Sequence, residues 1–211
     1  MFITFEGIEG CGKTTQIQRL AHNLEKQGIQ IILTLEPGGT DIGKRIRHIL
    51  LDSKNIHLSP LTELLLYEAD RAQHVAEIIK PALDSGKWVL CDRFYDATVV
   101  YQGLARGQDR DLINLLNIKV TDQIRPDLTF LLDCPVDIGL ERALKRNESL
   151  ELNGQGRFEQ EEMNFHQKVR EGYLSLAREF PERFKIIDAT HQPGEVEERI
   201  MARVQLYLKR F

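Results

Sequence analysis

The stretch Gly7-Ile8-Glu9-Gly10-Cys11-Gly12-Lys13-Thr14 is a complete G-x-x-x-x-G-K-T run, set between an apolar segment at residues 2–5 and an amphipathic segment that begins at Thr14. An apolar strand, a glycine turn and a helix in that order build an anion cradle. The glycines let backbone N–H groups turn inward, and the helix N-terminus adds positive potential. Lys13 then reaches the terminal phosphates of a nucleotide, and Thr14 offers its hydroxyl to Mg²⁺. Residues Gly7, Ile8, Glu9, Gly10, Cys11, Gly12, Lys13, Thr14 and Thr15 are the expected ATP-binding loop.

The flanking sequence continues the alternation. Short apolar runs at residues 2–5, 29–35, 88–91, 128–132 and 184–187 read as strands. Between them lie helix-like segments near residues 14–27, 41–51, 59–85, 96–124, 136–145, 161–180 and 194–209. Ser59-Pro60 is a well-marked helix start, with a capping residue before a proline at the first helical position. The pattern predicts an α/β chain: a three-layer P-loop NTPase fold in which a five-stranded parallel sheet is flanked by helices. The 211 residues suit one domain, residues 1–211, and the polar, glycine-containing stretch at 147–156 reads as a mobile loop within it.

Composition narrows the partners. A net charge of -4, with no block of like charges, speaks against a chain that coats nucleic acid or lies on a membrane. No run approaches 18 consecutive apolar residues, and the N-terminus lacks the pattern of an export signal. Cys11, Cys91 and Cys134 are widely spaced without metal-ligand spacing, which suits a reducing cytoplasm. Small-molecule partners and a cytoplasmic location are expected.

Two further segments end predicted strands. Val89-Leu90-Cys91-Asp92-Arg93 places an acidic residue at a carboxyl edge, where α/β sheets bind ligands. Asp92 is a candidate partner for Mg²⁺ beside Thr14, and the Arg93 fork suits a phosphate. Glu36-Pro37-Gly38-Gly39-Thr40 closes the second strand at the same edge, although turn chemistry alone accounts for Pro-Gly-Gly. The Asn-Lys-x-Asp signature of guanine-specific switches is absent from the chain. Kinases of other nucleotides or nucleosides, and a nucleotide-driven ATPase switch, remain open on these residues.

Taken together, several segments resemble the bacterial thymidylate kinase family. They are Phe5-Glu6-Gly7-x-Glu9-Gly10-x-Gly12-Lys13-Thr14-Thr15, Glu36-Pro37-Gly38-Gly39-Thr40, Leu66-Tyr67 to Arg71, Asp92-Arg93-Phe94, Ala97-Thr98 to Tyr101-Gln102-Gly103, Arg125-Pro126-Asp127-Leu128-Thr129, Arg157-Phe158-Glu159 and Asp188-Ala189-Thr190. They span nearly the whole chain.

The resemblance implies phosphorylation of dTMP to dTDP by ATP with Mg²⁺, a nucleoside monophosphate kinase domain with a lid near 147–160, and a homodimer packed through helices. It implies that Arg71 and Gln102 read the thymine edge, that Tyr67 stacks on the ring, and that Thr98 and Tyr101 lie beside it. Arg47 and Arg93 would hold the acceptor phosphate. Glu9, Glu36 and Pro37 would stand near sugar and phosphates, with Asp188, Ala189 and Thr190 near adenine. Tyr67 stands where phenylalanine is common in the family, and Ala97 replaces a frequent serine. Some members carry an arginine in the P-loop, but Ile8, Glu9 and Cys11 fill its variable positions here. A lid cation must then join Lys13 in catalysis. Arg142, Lys145, Arg146 and Arg157 are the candidates, with Arg157 preferred and Arg146 second. Cys11 and His166 read as structural.

Overall fold

The computed structural model describes residues 1–55, 57–149, 157–159 and 161–208. The expected lid falls largely beyond this, since residues 150–156 and 160 lie outside the described residues.

Five strands form one parallel sheet in the order β2-β3-β1-β4-β5: β1 (Phe2–Glu6), β2 (Ile31–Leu35), β3 (Trp88–Asp92), β4 (Leu128–Asp133) and β5 (Phe184–Asp188). β1 is central, pairing Phe2 with Val89 of β3 and Ile3 with Leu128 of β4. All five of its residues are buried, so the strand is covered on both faces, and the Thr4 and Thr129 hydroxyls hydrogen-bond each other across 2.8 Å. The chain order reverses around β1, with β2 and β3 on one side and β4 and β5 on the other. That reversal opens a crevice at the carboxyl ends, where the P-loop leaves β1 and Asp92 closes β3.

The helices are α1 (Lys13–Glu25), α2 (Asp41–Leu51), α3 (Pro60–His74), α4 (Lys80–Asp84), α5 (Tyr95–Thr98), α6 (Arg110–Val120), α7 (Val136–Ser149), α8 (Met163–Glu179) and α9 (Pro193–Leu208). Ser59 caps α3 as its sequence predicts, its hydroxyl accepting the Thr62 N–H at 3.2 Å. Two long expected helices are interrupted. Residues 59–85 divide into α3, a π-helical turn at Val75–Ile79 and α4, because Pro81 has no N–H for the preceding turn and its ring crowds it. Residues 96–124 divide into α5, a π-helical segment at Val99–Ala105 and α6. The chain leaves the helix at Gly107, φ 73°, and restarts where the Asp109 carboxylate accepts the Asp111 and Leu112 N–H groups. That widened segment carries Tyr101 and Gln102. Cys11, Cys91 and Cys134 are buried free thiols.

Candidate active site

The P-loop turns only because glycine stands where a side chain would collide. Gly10 has φ 67°, and a Cβ there would lie 1.9 Å from the Gly139 carbonyl oxygen in α7. The Ile8 and Cys11 side chains are buried in the core, which anchors the loop from beneath. Lys13 Nζ donates to the carbonyls of Gly7 (3.1 Å) and Ile8 (2.9 Å), so the ammonium is folded back over its own loop. The Thr14 hydroxyl donates to Asp92 Oδ2 at 2.9 Å.

Beside the loop lies a cavity of about 330 Å³. Glu9, Gly10, Lys13 and Thr14 line it from the P-loop, Glu36 and Pro37 from the end of β2, and Arg47 from α2. Tyr67 and Arg71 reach it from α3, and Asp92 and Arg93 from the end of β3. Thr98, Tyr101, Gln102, Arg146 and Glu159 complete the wall with apolar neighbours. Residues chosen far apart in the sequence thus meet at one opening.

One end of the cavity is positively charged. Arg93 sits in the left-handed region at φ 70°, a conformation uncommon for a side chain of its size. That turn aims its guanidinium so that Nη1 donates to the Tyr173 hydroxyl (2.9 Å) and Nη2 to Glu9 Oε1 (3.1 Å), 5.0 Å over the Tyr101 ring. The Tyr101 hydroxyl also donates to Glu9 Oε1, at 2.5 Å. Burial alone would raise the Glu9 pKa, but the His166 ring, the charges of Arg93 and Lys13 and the Tyr101 hydroxyl outweigh it and hold the carboxylate at about 2. Arg47 Nη1 donates to the Pro37 carbonyl at 2.8 Å, and burial pulls its pKa down.

The other end is built on Arg71, which is 1 % exposed. Its Nε donates to Glu36 Oε2 (2.9 Å), and Nη1 donates to Glu68 (2.9 Å) and Asn117 (3.1 Å). Nη2 donates to Thr98 Oγ1 (3.0 Å) and, at a long 3.4 Å, to the Phe94 carbonyl. All five guanidinium hydrogens have acceptors. Glu36 is equally committed, since its second oxygen meets His74 Nδ1 at 2.9 Å. Gln102 Nε2 donates to Glu63 at 2.8 Å, and burial drives the Tyr67 phenol well above its ordinary pKa.

Not every expected residue reaches the cavity. Arg157 is buried away from it: Nε donates to the Leu50 carbonyl (2.7 Å), Nη2 to Glu63 Oε2 (2.6 Å), and the guanidinium lies 4.6 Å over the Phe158 ring. Arg146 lines the cavity instead and pairs with Glu159 at 3.3 Å. Asp188, Ala189 and Thr190 turn at the end of β5, where the Thr190 N–H and hydroxyl both donate to Asp188 Oδ1 and Arg142 Nη1 donates to the Ala189 carbonyl. Several groups in the surrounding shell carried no reading in the sequence. Glu63, Glu68 and His74 share α3 with Tyr67 and Arg71, and helical spacing was the one available signal for them. Glu6 lay inside a quoted motif, yet nothing in that motif marks a fully buried carboxylate.

A family model described as thymidylate kinase matches residues 5–200. The chain belongs to the thymidylate kinase family. A thymidylate kinase from Geobacter sulfurreducens is 60% identical over 187 residues, covering 89% of this chain and 88% of its own. One from Trichlorobacter lovleyi is 56% identical over 200 residues, covering 95% and 94%. The crystal structure of thymidylate kinase from Ehrlichia chaffeensis superposes with a TM-score of 0.77 at 38% identity, over 97% of this chain and 98% of that one. As a thymidylate kinase family member the protein is a phosphotransferase that works on nucleotides. Among its described residues no helix is long and apolar enough to cross a membrane.

Proposed function

We propose the following division of labour for the family's reaction, phosphorylation of dTMP to dTDP by ATP. The observation that carries it is that P-loop, base-side and phosphate-side residues line one cavity. Gly7 through Thr15 cradle the ATP phosphates, and the turn at Asp188, Ala189 and Thr190 lies on the adenine side. Arg47 and Arg93 hold the acceptor phosphate, and Tyr67 stacks on the base with Thr98 at its edge. Glu9, Glu36, Pro37 and Tyr101 frame the sugar. The whole chain acts as one nucleoside monophosphate kinase domain.

Phosphoryl transfer needs no protein nucleophile, so catalysis rests on placing acceptor oxygen and donor phosphorus in line and on meeting the charge that develops. Lys13 leaves its two carbonyls for the migrating phosphoryl group, and Arg146 supplies the cation missing from the P-loop. Arg157 reaches that centre only by giving up Glu63 and Leu50. A hydroxyl and a carboxylate in contact at the loop mouth suit a hard divalent ion, so Thr14 and Asp92 would hold Mg²⁺. No cluster of three or more His, Cys, Asp or Glu side chains among the described residues offers an all-protein cage, which fits an ion shared with substrate phosphates. When bound, the ion neutralises the donor phosphates.

Base recognition follows from the acceptors of Arg71. Its 3.4 Å contact to Phe94 is the longest and the one a base carbonyl displaces most cheaply. A guanidinium only donates, which suits O4 of thymine or uracil and opposes the amino group of cytosine. The proposed working form is a cytoplasmic homodimer; exposed Leu61 and Leu65 on α3 beside exposed Leu112, Leu115 and Ile118 on the neighbouring α6 support the association of two copies. A coupled assay of ADP formation across nucleoside monophosphates tests the assignment. Preference for dTMP supports it, whereas equal use of dCMP, or phosphate release without transfer, overturns it.

A further inference from the structure

Gln102 is 1 % exposed and lines the cavity, and a carboxamide placed there can present either of two chemistries. Its oxygen accepts and its nitrogen donates, so the two orientations read opposite patterns on a base. One neighbour decides between them. Glu63 Oε1 lies 2.8 Å from the end of Gln102 that faces it, and an ionised carboxylate only accepts. The opposite orientation would set two acceptor oxygens against each other with no proton between them. Among the described residues nothing donates to Gln102 Oε1, and that oxygen is not sealed in the interior.

We propose that Glu63 is a positioning residue for base selection: it holds the Gln102 nitrogen towards itself and leaves the oxygen to the cavity, so the site selects bases that carry an N–H at the centre of the pairing edge. The inference rests on the reading of Gln102 as a base-contacting residue. Thymine and uracil have that N–H at N3, whereas cytosine has a bare acceptor there and would face oxygen with lone pair.

The device works only while Glu63 stays ionised, and two arginines see to that. Arg157 Nη2 donates to Glu63 Oε2 at 2.6 Å, and Arg106 approaches both oxygens at 3.3 and 3.4 Å. Burial would raise the Glu63 pKa, but the Gln102 amide and these two guanidinium groups outweigh it and bring it below the ordinary value. Arg157 thereby has work at the base, although it stands away from the phosphates.

The test compares kcat/KM for dTMP and for dCMP in wild type, Glu63→Gln and Gln102→Ala. A neutral amide at position 63 can donate or accept, so Gln102 is free to turn. Glu63→Gln is expected to lower the dTMP-to-dCMP ratio by about tenfold or more, since a site that pairs a substrate N–H discriminates strongly against its absence. Equal losses for both nucleotides, at an unchanged ratio, would make Glu63 a structural brace and overturn the proposal. Gln102→Ala separates this from the reading beneath it. If that variant collapses the ratio and Glu63→Gln leaves it intact, only the proposal fails; if Gln102→Ala leaves the ratio intact, the base-contacting role itself fails. Should Glu63→Gln not fold because two arginines lose their partner, the double variant Glu63→Gln with Arg157→Gln removes both members of the closest pair, and its ratio is read against the same expectation.

Discussion

The Thr14 hydroxyl donates to Asp92 across 2.9 Å, joining the first turn of α1 to the end of β3 at the mouth of the P-loop. On the proposed reading, both residues would meet a divalent ion carried on the donor phosphates. Asp92→Asn keeps the shape and the acceptor oxygen but removes the charge. Its Mg²⁺ requirement for half-maximal activity should rise about 10- to 100-fold, the usual effect of losing a supporting carboxylate. Titration of activity against Mg²⁺ at saturating nucleotides measures this, and an unchanged midpoint would remove Asp92 from the ion's surroundings.

The Lys13 ammonium donates to the carbonyls of Gly7 and Ile8, which water can satisfy if the side chain is cut back. Lys13→Ala should therefore melt within a few degrees of wild type. Turnover should fall on the order of a hundredfold or more if, as proposed, the ammonium meets the charge that develops. Thermal melting with single-turnover kinetics makes the comparison. A fully active variant would take the lysine out of the mechanism.

How far the sequence reached is clearest from three residues. Lys13 was legible because spacing alone ties its role to a loop that closes within eight residues. Arg93 was legible in place, directly after a strand at the binding edge, but not in its left-handed backbone, which depends on how β3 meets α5. Arg157 sat in a motif with the right composition for a lid cation, yet its partner Glu63 lies 94 residues away in sequence. No periodicity encodes such a contact. The same holds for Glu36 and His74, whose pairing arises when the end of β2 folds against α3.

Arg146 and Arg157 give opposite expectations. Arg146 is about half exposed at the cavity wall, so Arg146→Ala should cost little stability and lower kcat roughly a thousandfold if it meets the transferring group. Arg157→Ala leaves Glu63 buried with Arg106 as its remaining cation, and breaking such a pair costs about 3–5 kcal/mol. Denaturant melts beside steady-state kinetics separate them. A stable Arg157→Ala enzyme with a collapsed kcat would reverse the assignment.

Glu6 introduces a pH dependence of stability. Its oxygens accept the Phe94 N–H at 2.8 Å and the Tyr173 hydroxyl at 2.7 Å, while burial first and the charge of Asp96 next push its pKa up to about 8 against the pull of Arg93. Unfolded, the group titrates near 4.5. Between those values the folded chain holds a proton that the unfolded chain has released, so stability falls as pH rises through the window. The contribution is complete below about 4.5 and lost above about 8. Glu6→Gln mimics the protonated group at every pH, and the melting temperature of wild type minus that of the variant should drop across this range. A flat difference would mean that Glu6 is ionised throughout.

Arg71 is the residue proposed to read the acceptor base, and its five occupied hydrogens decide how that role can be tested. Removing the side chain strands Glu36 and Glu68, both buried, so Arg71→Ala weakens the fold as well as the site. Arg71→Lys keeps the charge between those carboxylates but gives up the planar fork that also spans Thr98 and Phe94. The lysine enzyme should stay folded and lose most of its kcat/KM on dTMP, with a smaller loss on dCMP, so the gap between the two nucleotides narrows. Discrimination against dUMP should survive in both enzymes if it rests on the thymine methyl group packing against an apolar wall. Such a contact would be worth about 1–3 kcal/mol, or roughly 10- to 200-fold, and would owe nothing to the guanidinium. Kinetics on dTMP, dUMP and dCMP with each enzyme distinguish the contributions. If Arg71→Lys lowers all three nucleotides by one common factor, Arg71 braces the cavity wall without reading the base, and selection against cytosine falls to Gln102 alone.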